Sequence, residues 1–221
     1  MIPVLTIDGP SGVGKGTVAN IMAHELNWNL LDSGAIYRAF ALAATKRNIQ
    51  IDNTDELLKL ASNLDLRFES DPSNNQLSIY LDNIEVSDEL RTEKTAELAS
   101  KFAMIGPLRG SLLLRQQKFK QPPGLVADGR DMGTVVFEDA PFKVFLTANV
   151  QERAQRRLKQ LQDKGIAGIL SQTLEEVKKR DERDASRKHS PLKPSKDALV
   201  IDTSNLTINE VVAKVMALVK T

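Results

Sequence analysis

Val4-Leu5-Thr6-Ile7-Asp8-Gly9-Pro10-Ser11-Gly12-Val13-Gly14-Lys15-Gly16-Thr17 is an apolar run that ends in a glycine-rich turn and then in a lysine opening a helical pattern. Glycines at 9, 12, 14 and 16 let successive backbone N–H groups turn toward one anion. Lys15 adds a full positive charge, and a helix from 15 to about 26 adds the partial positive charge of its N-terminus. The spacing from Gly9 to Lys15 fits GxxxxGK, a phosphate-binding loop placed between a strand and a helix. The whole segment Gly9, Pro10, Ser11, Gly12, Val13, Gly14, Lys15, Gly16 and Thr17 is therefore the candidate polyphosphate site. A dinucleotide fingerprint is excluded, because Gly12-x-Gly14-x-Gly16 lacks the GxGxxG spacing. Such loops usually continue with a Ser or Thr that bonds Mg²⁺; here Gly16 takes that position and Thr17 follows it.

Working outward, residues 3–8, 29–32, 124–128, 143–148 and 199–202 read as strands, each followed by a helical pattern. That alternation predicts an α/β fold, a parallel five-stranded sheet with helices on both faces. Runs such as Leu125-Val126-Ala127 are continuously apolar, as strands buried on both faces must be. Ligands then gather at the C-terminal strand ends, where Asp8-Gly9, Asp32-Ser33, Asp128-Gly129-Arg130-Asp131 and Asp202 fall. Residues 66–69, 77–81 and 84–86 break the pattern: they predict a small antiparallel sheet, turning at residues 70–75 and at Asp82-Asn83. The expected organisation is one α/β domain. Its core spans about 1–60, 98–150 and 188–221, with an inserted subdomain at about 61–97 and a lid at about 151–187.

Composition narrows the function. The chain has 221 residues, with 30 basic and 29 acidic side chains and a net charge of +1, so it carries no overall field for nucleic acid. The absence of cysteine excludes disulfides, thiolate metal sites and a thiol nucleophile. His24 and His189 lie too far apart in sequence for a local histidine pair, and both read as surface residues. No apolar run reaches the roughly 18 residues of a spanning helix, and Met1 leads almost directly into a strand with no basic region or cleavage site, so a cytoplasmic protein with no membrane partner is expected.

Other constellations are less decisive alone. Arg38 lies one turn into the helix after the second strand, where a guanidinium can fork onto phosphate or simply face solvent. Asp128 ends an apolar strand as a Mg²⁺-facing carboxylate would, directly or through water. Asp128, Arg130 and Asp131 read equally as a structural salt-bridge knot. Ser100 and Arg109, on a helix before that strand, are not singled out by spacing. Arg153, Arg156 and Arg157 share one helix face, and Arg180, Asp184 and Arg187 share another beyond a glycine-containing loop. These are either two solvated faces or a hinged lid bringing cations onto phosphates.

Taken together, the residues resemble the bacterial cytidylate kinases from end to end. The Gly-Lys-Gly-Thr form of the loop is shared with nucleoside monophosphate kinases generally. Asp32-Ser33-Gly34-Ala35-Ile36-Tyr37-Arg38, Ala127-Asp128-Gly129-Arg130-Asp131-Met132-Gly133-Thr134 and the Arg180 to Arg187 set are more specific. The resemblance implies transfer of the γ-phosphoryl group of Mg²⁺-bound ATP to CMP or dCMP. By the same resemblance Ser100, Arg109 and Asp131 read cytosine, Ser33, Arg180 and Asp184 hold the pentose, and Arg38, Arg130 and Arg187 clamp the acceptor phosphate. Lys15, Arg130, Arg156 and Arg187 are the expected catalytic cations, and Arg156 is the expected lid contact to the donor. Asp128 is the expected metal ligand, through water, and Thr17 a phosphate contact. Small-molecule substrates and a monomer are expected. The alternatives are a kinase for UMP, dephospho-coenzyme A or shikimate, and a nucleotide-gated switch. A switch would want an Asn-Lys-x-Asp motif after a strand, and Thr147-Ala148-Asn149-Val150 and Thr203-Ser204-Asn205-Leu206 stand there instead.

Overall fold

The computed structural model describes residues 2–70, 77–163, 165–188 and 190–220. In chain order the elements are β1 Val4–Asp8, α1 Lys15–Leu26, β2 Asn29–Asp32, α2 Ser33–Lys46, α3 Thr54–Ser62, β3 Leu66–Ser70, β4 Leu77–Leu81, β5 Ile84–Glu85, α4 Ser87–Leu90, α5 Glu93–Phe102, α6 Gly106–Gln117, β6 Leu125–Gly129, a π-helical turn Met132–Val136, β7 Phe142–Thr147, α7 Val150–Gln162, α8 Leu170–Ala185, β8 Leu199–Asp202 and α9 Ile208–Val219. The chain divides into two compact units, Met1–Leu31 with Lys120–Thr221, and Asp32–Phe119. No helix among the described residues is long and apolar enough to cross a membrane.

The first unit is built on the five-stranded sheet, ordered β2-β6-β1-β7-β8, with β1 parallel to both β6 and β7 and β7 parallel to β8. All five β1 residues are buried, as its unbroken apolar run requires. Register aligns Leu5 with Val126 and Phe142, and Ile7 with Val144. These side chains pack with Val18, Ala19 and Met22 of α1 and with Val211 and Val215 of α9. On the other face, Gly133 of the π-helical turn lies so close to Thr6 and Lys143 that a Cβ there would sit 2.8 Å from Thr6 Oγ1. Because β1 lies between β6 and β7, the loops leaving all three open at one end of the sheet.

In the Asp32–Phe119 unit, α2 is buried on nearly every side and packs on α3, α4 and α5. Phe40 and Phe102 meet edge to face at 5.2 Å. Strands β3, β4 and β5 form the antiparallel sheet, and Asp82 and Asn83 both take positive φ (50° and 64°), as a tight hairpin turn demands. The turn expected at residues 70–75 falls almost wholly outside the described residues.

One expectation is corrected. Ser100 and Arg109 do not share a helix: Ser100 is on α5 and Arg109 on α6. Pro107 has no N–H to donate to the carbonyl four residues back, Ala103, and the helix stops and restarts there. His24 is exposed, as expected; His189 lies outside the described residues.

Candidate active site

The first unit presents the loop between β1 and α1. Gly12 and Gly14 have φ of 83° and 90°, and Gly14 precedes α1 with no side-chain cap on the first-turn amides. Those amides are thus directed at whatever the loop encloses. Gly9 passes so near β7 that a Cβ on it would lie 2.1 Å from Leu146 O. Lys15 is buried and its ammonium donates to Pro10 O at 2.8 Å. Burial, reinforced by the positive charge of Arg130, lowers its pKa from 10.5 to about 7.

Asp8, at the end of β1, is buried and accepts from the backbone N–H groups of Met132 at 2.9 Å and Gly133 at 2.8 Å. Burial pushes its carboxyl up to about 7 against those two bonds, with Asp131 and Asp128 adding to the rise. The π-helical turn closes through Phe137 N–H to Met132 O at 2.7 Å, a geometry concentrated at functional sites. Asp8 therefore ties the segment carrying Arg130 and Asp131 to the strand that feeds the phosphate loop.

Asp128, the penultimate residue of β6, faces α1, and its Oδ2 would lie 3.4 Å from a Cβ on Gly16. Glycine at 16 leaves open the space facing that carboxylate. Thr17 is exposed.

Three charged side chains converge on Asp184, which is buried at 1% exposure. Arg130 Nε donates to its Oδ2 at 2.9 Å, and Arg187 donates to its Oδ1. Burial alone would raise the Asp184 pKa, but Arg130, Arg187 and Arg180 hold it below the ordinary carboxylate value. Conversely, burial alone would lower that of Arg130, and Asp184 drives it up instead. Asp184 is thus ion-paired to both Arg130 and Arg187 in one cluster.

The three arginines of α7 do not act as one face. Arg153 is buried, forks onto Asp181 of α8 and donates to Ser11 O and Ala148 O, each at 3.1 Å. Arg156 donates to Thr203 Oγ1 at 3.1 Å and to Thr203 O at 2.6 Å, while Thr203 Oγ1 donates to Val13 O in the phosphate loop. Arg157 donates to Gln160.

The other unit collects Ser33, Arg38, Ser100 and Arg109. Asp32 caps α2 by accepting from Ala35 N–H at 2.8 Å, and its second oxygen accepts from Arg38 Nη2 at 2.9 Å. Arg38 Nε is buried without a hydrogen-bond partner, as is the Ser100 hydroxyl. Ser33 donates to Gln116 Oε1 at 2.6 Å. Arg109 donates to Ala103 O at 3.1 Å, the carbonyl that Pro107 leaves unpaired, and its guanidinium lies 5.7 Å from the centre of the Tyr37 ring. Tyr37, Gln116, Asp181 and Thr203 were not named as site residues from the sequence, although Tyr37 and Asp181 lie inside quoted motifs; Asp8 was expected only as a strand end facing ligand, with no role assigned.

The family model for cytidylate kinase matches residues 5–221. The chain belongs to the cytidylate kinase family. Its relatives include the cytidylate kinase of Aeromonas salmonicida, 52% identical over 98% of this chain and 94% of that protein. That of Pectobacterium atrosepticum is also 52% identical, over 98% and 96%, and that of Shewanella denitrificans is 50% identical over 99% and 96%. A cytidylate kinase is a phosphotransferase, and nothing in the residues described above favours UMP, dephospho-coenzyme A or shikimate as acceptor.

Proposed function

We propose that the chain transfers the γ-phosphoryl group of Mg²⁺-bound ATP to CMP or dCMP, giving the diphosphate and ADP, through the residues below. The observation that carries the reading is full-length similarity to cytidylate kinases, which includes the Asp128 to Thr134 and Arg180 to Arg187 segments. In this reading the amides from Gly12 to Thr17 and Lys15 hold the donor phosphates, and Arg156 contacts them from α7. Arg38, Arg130 and Arg187 hold the acceptor phosphate, Ser33, Arg180 and Asp184 the pentose, and Ser100, Arg109 and Asp131 the base. A carboxylate accepts from the exocyclic amine of cytosine and meets an acceptor in uracil, which gives strong discrimination.

The attacking oxygen belongs to a phosphate already anionic at neutral pH, so no general base is required. In-line positioning and charge neutralisation supply the rate. Asp128 would hold Mg²⁺ through water, the hard oxygen chemistry suits that ion, and the metal would neutralise charge on the donor phosphates. We place the lid at α7 and α8 with their connecting loop, the acceptor subdomain at the small sheet, and the working form as a monomer.

The test follows ADP release from Mg·ATP with CMP, dCMP, UMP, AMP, dephospho-coenzyme A or shikimate. CMP and dCMP should be the best acceptors, and any other ranking refutes the assignment. Asp131→Ala should cost more kcat/KM with CMP than with UMP; equal losses remove Asp131 from base reading.

A further inference from the structure

The Ser33–Gln116 contact carries information about the acceptor that its members do not carry singly. Both side chains are buried, at 5% and 2% exposure, and both belong to the Asp32–Phe119 unit. Ser33 is the first residue of α2, where the Asp32 cap fixes the backbone. Gln116 lies in the last turn of α6. Its amide has two distinguishable ends. Nε2 donates to Leu112 O at 3.3 Å, one turn back on the same helix. Rotating the amide by half a turn would set Oε1 against that carbonyl, acceptor to acceptor, so the oxygen is held toward Ser33. Ser33 Oγ then donates to Oε1 at 2.6 Å, a short bond for a hydroxyl.

A serine hydroxyl has one hydrogen and two lone pairs. With the hydrogen committed to Gln116, only lone pairs remain for a ligand. We propose that Gln116 is a specificity-determining positioning residue: it fixes Ser33 as a pure hydrogen-bond acceptor, which recognises a hydroxyl donor on the sugar of the acceptor nucleotide. Such an oxygen repels a phosphate oxygen or a carbonyl, both acceptors, so it also sets which part of the nucleotide lies against α2. The inference rests on the reading of Ser33 as a pentose contact, and it turns that contact from a general polar neighbour into one with a defined direction. Replacing Gln116 by an apolar side chain of similar length frees the hydroxyl to rotate toward other acceptors, and the preference for a sugar O–H falls.

Steady-state kinetics with CMP, 2′-deoxy-CMP and 3′-deoxy-CMP separate the possibilities, using Ser33→Ala, Gln116→Met, the double variant and Gln116→Glu, with thermal melting of each as a folding check. Ser33→Ala should reduce by about tenfold the preference for CMP over whichever deoxy analogue lacks the contacted hydroxyl. Gln116→Met should reproduce most of that loss, in KM with kcat within about twofold, and the double variant should be no worse than Ser33→Ala. Gln116→Glu, assayed at a pH low enough for the buried carboxyl to be neutral, keeps an oxygen acceptor toward Ser33 and an O–H donor toward Leu112 O, and should retain the preference. If Ser33→Ala leaves all three substrates unaffected, the pentose reading fails. If Ser33→Ala shifts the preference but Gln116→Met does not, or the two effects add, the pentose reading stands and the role of Gln116 is refuted. If Gln116→Met does not fold, Gln116→Glu decides: a folded Glu variant that has lost the sugar preference overturns the proposal.

Discussion

Donor binding should take up a proton. Lys15 is buried in the phosphate loop, and burial together with Arg130, against the pull of Asp128, lowers its pKa from 10.5 to about 7. Unliganded at pH 8, about one Lys15 in ten is then charged. A polyphosphate in the loop sets several negative charges beside the ammonium and restores its ordinary preference for the proton. Binding should therefore take up about 0.9 proton at pH 8, about half a proton at pH 7 and about 0.1 at pH 6, and Kd should weaken about tenfold per pH unit from 8 to 10. Isothermal titration with a non-hydrolysable ATP analogue, in buffers of different ionisation enthalpy, reads the proton count as the slope of observed against buffer enthalpy. The analogue is titrated as its Mg²⁺ complex, in which the metal keeps the terminal phosphate ionised at pH 8, so the slope reports on the protein. Lys15→Met should abolish it. Zero uptake at pH 8, or a slope that survives Lys15→Met, would refute the reasoning. Stability must follow the same linkage. The folded chain binds fewer protons at Lys15 than the unfolded chain between pH 7 and 10.5, so the unliganded protein gains stability as pH rises through that window. The cost is fully present below it, on the order of 5 kcal/mol.

Asp8 gives the opposite slope. Its carboxyl is raised from 3.8 to about 7, so the folded state holds the extra proton between those values and stability falls as pH rises through them. Asp8→Asn should flatten that part of a pH–Tm profile and, by turning an amide NH₂ onto Met132 or Gly133, weaken the preference for CMP over UMP. Asp184→Asn leaves Arg130 and Arg187 without their shared carboxylate and should lower stability by about 3–5 kcal/mol, seen as a large Tm drop together with a loss of kcat/KM for CMP. Gly9→Ala drives a Cβ to 2.1 Å from Leu146 O and should abolish nucleotide binding, whereas Gly110→Ala on α6, with nothing within 4 Å, should stabilise by about 0.5–1 kcal/mol; comparable losses in both would refute the packing argument.

The sheet was legible because its strands are mainly apolar runs, four of the five closed by Asp or Gly. Those at 29–32 and 199–202 match their expected bounds, β1 begins one residue later than expected, and β6 and β7 shift by one residue at both ends. The Asp82-Asn83 hairpin was legible for a similar local reason, since few residues accept positive φ. What could not be read depends on distance in sequence. Asp8 meets Met132 across 124 positions, and no spacing rule connects a strand-end aspartate with a π-helical turn. Gln116 is one polar residue among others in Arg115-Gln116-Gln117-Lys118, and only burial against Ser33 marks it out. Pro107 was visible in the sequence, yet its consequence, a carbonyl left for Arg109, required the break between α5 and α6. The α7 arginines show the limit of periodicity: i, i+3 and i+4 spacing predicts a shared face, but Arg153 and Arg156 find different partners on different elements.

Those partners show how a chain of net charge +1 accommodates its half-buried and buried arginines. Arg38 is held by Asp32, Arg130 and Arg187 by Asp184, and Arg153 by Asp181, so the orientation of each guanidinium is set in advance. Asp184 takes the Nε of Arg130 and one Nη of Arg187, which orients both guanidinium planes while using only part of each fork. Because Asp184 is held below its ordinary pKa and Arg130 above, this cluster keeps its charge throughout the neutral range. Lys15 does not, since its charge depends on the donor beside it. On the reading proposed above, the two phosphate-binding tasks differ in kind: Arg130 with Asp184 would offer the acceptor a charge that holds through the neutral range, whereas burial disfavours the Lys15 charge until a polyphosphate lies beside it. Near pH 8 the loop's attraction for anions is thus conditional on a ligand charged enough to recruit the proton, which favours a triphosphate over a monophosphate in the donor position.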